Sequence, residues 1–596
     1  MLMTAFRLFS SRHLGATILC AALCGASIAQ ESISDNQVNT IVAEYWQYRL
    51  QENPLLATQS GISEFNHKLP AVTPADRQRR LQSEQRFRRR IRDIDHSRLS
   101  TNGRVNAELL EWVLDESIGA YELNLSRMPF NTFAGFYTSV LSASNGVPMN
   151  TVKDYQDYIA RLRDVERYFS ENIANMREGI RTGFTLPKVV IENVLPAIEA
   201  QLYDDPEQSS LYRPFISMSS KISSVEQARL RLAAQDVISR QAIPAFASVA
   251  EFLKMEYMQA ATTFLGAEQL PEGKAYYSYQ IQTYTTLVGA SADEIHQIGL
   301  AEVTRIRAEM DVIIEELDFQ GDFEDFTHFL RTDEQFYVDT ADQLLKEAAF
   351  IAKRIDFEMP KFFGKLPRLP YGIVPVPAEL APGYTTAAYN SAPIGGVQGG
   401  AFWVNTYALD QRPLYELPAL TLHEAVPGHH HQISLAQELE DVPAFRLSQY
   451  FTAFGEGWGL YAEKLGIEMG IYQTPYEHFG RLSYQMWRAC RLVIDTGIHA
   501  QGWSRDRAIA YLTSNTSLSA ANIEAEIDRY ISWPGQALGY KLGEMKIWEL
   551  RRKAEQVLGQ DFDIREFHDV LLGNGALPLA MLEAQINRYL GLDFGL

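Results

Sequence analysis

The sequence predicts a mainly α protein with one minor β element, and three observations carry that reading. Apolar residues recur at intervals of three and four over long stretches. Capping-box patterns open two of those stretches, at Thr151-x-x-Asp154 and Ser291-x-x-Glu294. A single interruption holds six Pro and six Gly between residues 366 and 400 and ends in Gly399-Gly400-Ala401-Phe402-Trp403-Val404-Asn405, which reads as a short strand within residues 400–408.

From the start of the chain, Arg7 and Arg12 precede an apolar run from Leu14 to Leu23, and Ser27-Ile28-Ala29 has the small-x-small form of a signal-peptidase site. The run is too short to span a membrane. Residues 1–29 are therefore expected to be a cleaved export signal, and the protein periplasmic or secreted. A lipoprotein anchor at Cys24 would want a small residue before the cysteine, and Leu23 stands there. Of three cysteines, Cys20 and Cys24 leave with the signal, and Cys490 alone cannot form an internal disulfide or a cysteine-rich zinc site.

Helical patterning then covers residues 36–52, 74–95 and 105–122. Tyr155, Ile159, Leu162, Val165, Phe169, Ile173, Met176 and Ile180 form one stripe, expected on one long helix. Ile295, Ile298, Val303, Ile306, Met310 and Ile313 form another. Further helical stretches fall near 224–262, 340–360 and 505–515, and helix resumes after Pro418. The 596 residues exceed one ordinary domain core. Hydrophobic residues at 46% and charged residues at 21% exclude a disordered chain. The net charge of −20 argues against nucleic acid as a partner, and no later apolar segment is long enough to span a membrane. The basic run around Arg86–Arg90 reads as a solvated helix face. No dinucleotide fingerprint, phosphate loop or serine elbow is present.

Chemistry concentrates in Leu422-His423-Glu424-Ala425-Val426-Pro427-Gly428-His429-His430-His431-Gln432. Zinc-peptidase helices place two histidines four residues apart, with a glutamate after the first to reach the activated water. Here Pro427 occupies the fourth position. His430 lies about 20° from His423 around an ideal helix but about 10 Å further along it. A break at Pro427-Gly428 repairs the spacing: two extra residues bring in His429, three bring in His430, and the smaller insertion is easier to absorb. His431 is expected to be exposed. Glu456, in Gly455-Glu456-Gly457-Trp458-Gly459-Leu460-Tyr461-Ala462-Glu463, is the candidate third ligand, and Glu463 a candidate outer partner for a histidine. Spacing alone equally allows an exposed helix end beside a surface acid.

These stretches, with Arg488 to His499, Gly179-x-x-x-Gly183-x-x-x-Pro187, the Asn405 strand, Trp533 to Gly543 and Phe567-His568-Asp569, resemble the exported bacterial "domain of unknown function 885" family. That family is grouped with the zinc peptidases whose third ligand is glutamate, the angiotensin-converting-enzyme-like and thimet-oligopeptidase-like folds. The resemblance implies a large two-lobed helical fold with a deep cleft, dividing near residue 270 into an N-terminal lobe and a C-terminal lobe that carries the zinc. It implies Zn2+ held by His423, His429 or His430, and Glu456. Two departures, Asn390 after Tyr389 and Gly459 in place of the commoner Ala, are expected to touch none of the ligands.

The reaction expected is hydrolysis of a short peptide, or another small amide, by zinc-activated water with Glu424 as general base. Tyr530, Tyr540 and His499 are candidate donors to the oxyanion. Arg491, Asp495 and His499 share a helix face, either as an ordinary helix salt-bridge ladder or as a cleft lining in which Asp495 orients His499. The Asn405 strand is a candidate edge for pairing an extended peptide. Arg529, Lys541 and Arg551 are candidates for a substrate carboxylate. The competing classes are an exported helical binding or scaffold protein without catalysis, and a zinc amidase or esterase acting on a non-peptide metabolite.

Overall fold

The computed structural model describes residues 33–378, 380–392, 398–440 and 442–592. The expected export signal lies outside them. The architecture is mainly α, as the periodicity predicts.

In the N-terminal half, α1 (Ile33–Glu52), α2 (Pro74–Arg92) and α3 (Thr101–Glu122) pack on one another. Their contact explains the basic run. Arg80 pairs with Glu52 at 2.8 Å, Arg90 with Glu44 at 2.6 Å and Arg88 with Asp115 at 2.9 Å. Acids on the two flanking helices thus partner part of α2, while Arg86, Arg89 and Arg90 remain exposed on a solvated face.

The stripe from Tyr155 to Ile180 lies on two helices, α4 (Val152–Arg163) and α5 (Val165–Thr182), where one was expected. Asp164 turns the chain between them. Its backbone N–H tightens onto the Arg161 carbonyl, and its carboxylate accepts the Leu69 N–H at 3.2 Å and Arg167. Apolar spacing carries across such a turn, which is why the sequence conceals it. The helical stretch from Ser224 to Ala260 contains two π turns, Ile238–Ala242 and Leu253–Tyr257.

The C-terminal half is built from α6 (Ala292–Glu316), α7 (Ala341–Phe362), α8 (Leu417–Glu424), α9 (His429–Gln437), α10 (Thr452–Leu465), α11 (Pro475–His499), α12 (Ala520–Ser532), α13 (Leu538–Leu558) and α14 (Ile564–Leu572). Helix α11 is the axis of this half, buried continuously from Phe479 to His499. The largest packings are α6 on α11 and α10 on α13. The second is a glycine contact: a Cβ at Gly457 would lie 2.5 Å from the Gly543 carbonyl carbon, and a Cβ at Gly543 would run into the Ala453 carbonyl.

The Pro- and Gly-rich stretch folds as a sheet of β1 (Tyr371–Pro375), β2 (Ala387–Asn390) and β3 (Gly400–Val404), in the order β1-β3-β2. β1 is parallel to β3 and β2 antiparallel to it. This corrects the expectation for the Asn405 strand. β3 is the central strand, so it has no free edge to offer a peptide. Asn405 is fully buried and its amide donates to the carbonyls of Ala381, Tyr384 and Thr385. Its role is to fasten the loop that leads into β2.

No helix among the described residues is long and apolar enough to cross a membrane. The α10–α13 contact generates a direct test. Gly543→Val should lower unfolding stability by about 1–3 kcal/mol or more, the usual cost of overpacking. A denaturation midpoint equal to the parent's would contradict the packing described.

Candidate metal centre

Helix α8 ends at Glu424, where the Ala425 N–H closes the last turn onto Thr421 at 3.0 Å. The next residues leave helical geometry, the Val426–Pro427 peptide is cis, and α9 starts at His429. The break is therefore complete: two short helices with residues 425–428 between them. It is held from outside by Trp458 of α10, whose indole N–H donates to the Pro427 carbonyl at 2.7 Å.

This turn brings His429 back beside His423. The two rings are perpendicular with centroids 4.7 Å apart. The Nε2 atoms of His423 and His429 each lie 3.5 Å from Oε2 of Glu456, which α10 presents two residues before Trp458. Among the described residues, these three side chains form the one His, Cys, Asp and Glu group whose donor atoms all lie within 4.8 Å of one another. They fit zinc. Tetrahedral bonds of about 2.0–2.1 Å place neighbouring donors about 3.3–3.4 Å apart, close to the two distances observed.

His423 presents Nε2 because Nδ1 is engaged by Glu463 Oε1 at 2.8 Å. Burial alone would lower the His423 pKa, but Glu456 and Glu463 raise it to about 9. Burial works against the charge on Glu456 too, yet His429 and His423 hold its carboxyl well below the usual range. Glu424, next to His423, accepts the Tyr389 N–H of β2 at 2.8 Å on Oε2.

His430 turns the other way. Its Nδ1 is 3.0 Å from the Tyr389 hydroxyl and 3.2 Å from Ser434 Oγ, its ring packs on Tyr371, and burial pushes its pKa down to about 4. His431 corrects the expectation of exposure. It is completely buried against Phe363, and burial, with His430 and His568 nearby, lowers it to about 3. Three adjacent histidines thus point to three environments, as a helix requires of consecutive residues.

Gly459 corrects a second expectation, since it does touch a ligand. A Cβ there would lie 2.5 Å from His423 Cε1 and 2.8 Å from both ring nitrogens. Sequence reading missed Tyr450. Its hydroxyl donates to Glu456 Oε1 at 2.8 Å, while half of the residue remains exposed. Tyr540 and Glu424 are near enough to act on its ionisation. It precedes α10 in a loop, where no periodicity marks it.

Residues 54–586 match a family described as a bacterial protein of unknown function, DUF885. The chain belongs to the DUF885 family. No protein of curated function matches it. It is similar to the crystal structure of a provisionally described lipoprotein from Colwellia psychrerythraea, with 27% identity, a TM-score of 0.87, and coverage of 94% of this chain and 99% of that one. A second similar structure, a provisionally described lipoprotein of unknown function from Shewanella oneidensis, has 18% identity, a TM-score of 0.72, and coverage of 91% and 98%. At that identity it shows the fold alone.

Most of the other candidate residues build the frame. Tyr530 is fully buried, accepts from Trp487 at 3.0 Å and Arg491 at 2.9 Å, and donates to Glu526 at 2.6 Å. His499 is buried between the Ala267 N–H at 3.2 Å and the Tyr530 carbonyl at 2.9 Å, and burial lowers it to about 4. Asp495 does not orient His499. It accepts the Tyr277 hydroxyl at 2.6 Å and the Gly535 N–H at 3.1 Å, and burial raises it to about 7. The expected Arg491–Asp495–His499 ladder is absent because each side chain has a partner on another element.

Lys541 is buried between Glu302 at 2.9 Å and Glu544 at 2.6 Å. Arg551 is held by Glu468 and Glu555, and Arg529 by Glu526, Gln536 and Tyr540. None of these three cations has a free fork for a substrate carboxylate. Asp569 accepts the Gly364 and Lys365 N–H groups, and His568 joins the Phe362 carbonyl to Tyr461. Of the three expected oxyanion donors, Tyr540 is close enough to Tyr450, which touches Glu456, to act on its ionisation.

The Trp458 bond is testable alone. Trp458→Phe removes the donor and leaves the Pro427 carbonyl unpaired, which should cost about 1–3 kcal/mol. Hydrogen exchange over residues 424–430 should accelerate. Exchange there at the parent's rate would mean that the break is held by something else.

Proposed function

We propose that this protein is an exported zinc-dependent hydrolase, a peptidase acting on short peptides, allied to the zinc peptidases whose third ligand is glutamate. The supporting observation is the convergence of His423, His429 and Glu456 with an unshared glutamate, Glu424, beside the first ligand. A structural zinc site is usually closed by four protein ligands, whereas a catalytic one keeps three and an open position. Export is supported by the signal pattern in residues 1–29 and by the lipoprotein descriptions of the two similar structures.

Zinc held by these three side chains would polarise the scissile carbonyl and make water acidic near neutral pH. The remaining steps fall to this chain. Glu424 takes the proton of the attacking water and returns it to the leaving nitrogen. The Tyr389 N–H holds Oε2 of Glu424 and leaves Oε1 for that proton. Glu463 keeps His423 in the tautomer and orientation that present Nε2. Tyr450 steadies Glu456 through Oε1. Tyr540, which accepts from Arg529 at 3.3 Å, is the donor assigned to the developing oxyanion. β2 flanks β3 on one side only, so its outer edge, next to Glu424, replaces the Asn405 strand as the edge for an extended substrate.

Purified protein should hold close to one equivalent of zinc per chain. Glu424→Gln should keep that zinc and lose about two to four decades of turnover, the usual share of acid–base catalysis. Near-native turnover in that variant would remove Glu424 from the role. His429→Ala should abolish retention of zinc against a chelator, and His430→Ala should preserve it. Full zinc content in both variants would sink the ligand set.

A further inference from the structure

The three cations first considered for a substrate carboxylate are all engaged in the frame, which leaves the question of what an anionic substrate group would meet. A cavity of about 380 Å³ lies between the N-terminal helices and the segment before α10. Its wall includes Tyr45, Arg49, Asn53, Gln59, Ser139 and Gln449. A second cavity of about 440 Å³ shares Ser139 and Tyr168 with it, so the two adjoin. The second wall is completed by Tyr284 and by Ser532, Trp533 and Pro534 at the end of α12. The hollow also approaches the candidate metal centre. Gln449 immediately precedes Tyr450, whose hydroxyl rests on Glu456.

Across both walls there is one charged side chain, and it is a cation. Neither wall carries a carboxylate that would repel an anion. Arg49 itself is half-buried at the end of α1, its guanidinium 6.0 Å from the Tyr45 ring centre. Among the described residues no carboxylate reaches it at salt-bridge distance, while Glu84 and Glu116 both act on it from further away. In α2, Arg79, Arg80, Arg88, Arg90 and Arg92 have acid partners, whereas Arg77 turns to Asn124 and Arg86 to Ser83. A partly desolvated guanidinium whose nearest acids stand beyond salt-bridge distance gains from a ligand that supplies a close counter-ion. Its planar fork matches a carboxylate with two parallel hydrogen bonds. Neutral amide and hydroxyl groups around it add donors and bring no competing negative charge.

We infer that Arg49 anchors a substrate carboxylate, and that this hollow selects peptides carrying an anionic group, either the free C-terminus or an acidic side chain. The inference rests on the hydrolase reading for the word substrate, but the site itself is testable without turnover. The probes are N-acetyl-trialanine with a free C-terminus, its C-terminal amide, and the same amide with one glutamate in place of an alanine. Calorimetry with full-length Glu424→Gln protein should show about 10- to 150-fold tighter binding of a carboxylate probe than of the plain amide, the range for hydrogen bonds to charged groups. Which of the two carboxylate probes binds tighter identifies the source of the charge.

Adding Arg49→Gln should collapse that preference, and Arg49→Lys, which keeps the charge, should retain part of it. Melting midpoints taken alongside separate lost binding from lost folding. Equal binding of acid and amide, no binding of either, or a preference that survives in a folded Arg49→Gln protein would overturn the inference. A carboxylate preference in a protein that holds no zinc and cleaves nothing would keep the site and sink the hydrolase reading. Chelator-sensitive cleavage without an Arg49-dependent preference would do the reverse.

Discussion

The hydrogen bond from the Trp458 indole to the Pro427 carbonyl is the contact on which the candidate site depends. A histidine motif with the spacing of His423 and His429 cannot face one point from a continuous helix, because six residues advance about 9 Å along the axis. The chain solves this by ending α8 and restarting at α9, and that break leaves backbone groups in need of partners. Trp458 fills one such need at 2.7 Å, and the His430 N–H reaches across to Ala425 at 3.1 Å to fill another. The same helix that fastens the break carries Glu456, so the two halves of the cluster are positioned by one element. Glycines on α10 make this close approach feasible, Gly457 against α13 and Gly459 beneath the His423 ring.

A second principle is the pairing of buried charge away from the site. Arg491 meets Glu526 at 3.0 Å, Lys541 meets Glu302 and Glu544, and Arg529 meets Glu526 at 3.3 Å. Glu526 is held down to about 2; burial opposes this, and Arg529 and Arg491 outweigh it. Removing one member of such a pair strands the other, typically at a cost of about 3–5 kcal/mol. These residues therefore resemble catalytic groups in every respect except accessibility. Arg49 is their converse, a cation facing a cavity with no acid at salt-bridge distance, Glu84 and Glu116 standing further off.

The sequence made much of this legible and concealed the rest for definable reasons. Helices were readable because their cores follow a 3.6-residue period, and Thr151 and Ser291 do cap α4 and α6. The turn at Asp164 was hidden because apolar spacing continues through it. β1 and β2 lay in a stretch recognisable only as non-helical, since short strands among prolines lack an alternating pattern. The group His423, Glu424, His429 and Glu456 stood out because metal-binding residue types were concentrated at a helix break. Tyr450 did not, because a loop residue reaching over the first turn of a helix leaves no periodic trace. His499, Tyr530 and Lys541 were over-read: residue type and neighbourhood suggested chemistry, and only their hydrogen-bond partners reveal a frame.

The central claim is that His423, His429 and Glu456 converge to hold one zinc ion while His430 does not take part. The most direct measurement is a crystal structure of zinc-loaded protein with data collected on both sides of the zinc absorption edge. The account expects one strong anomalous peak per chain, within about 2.0–2.2 Å of His423 Nε2, His429 Nε2 and a Glu456 oxygen. A peak coordinated by His430 or His431, or crystals from zinc-saturated solution with no peak among these three side chains, would contradict it.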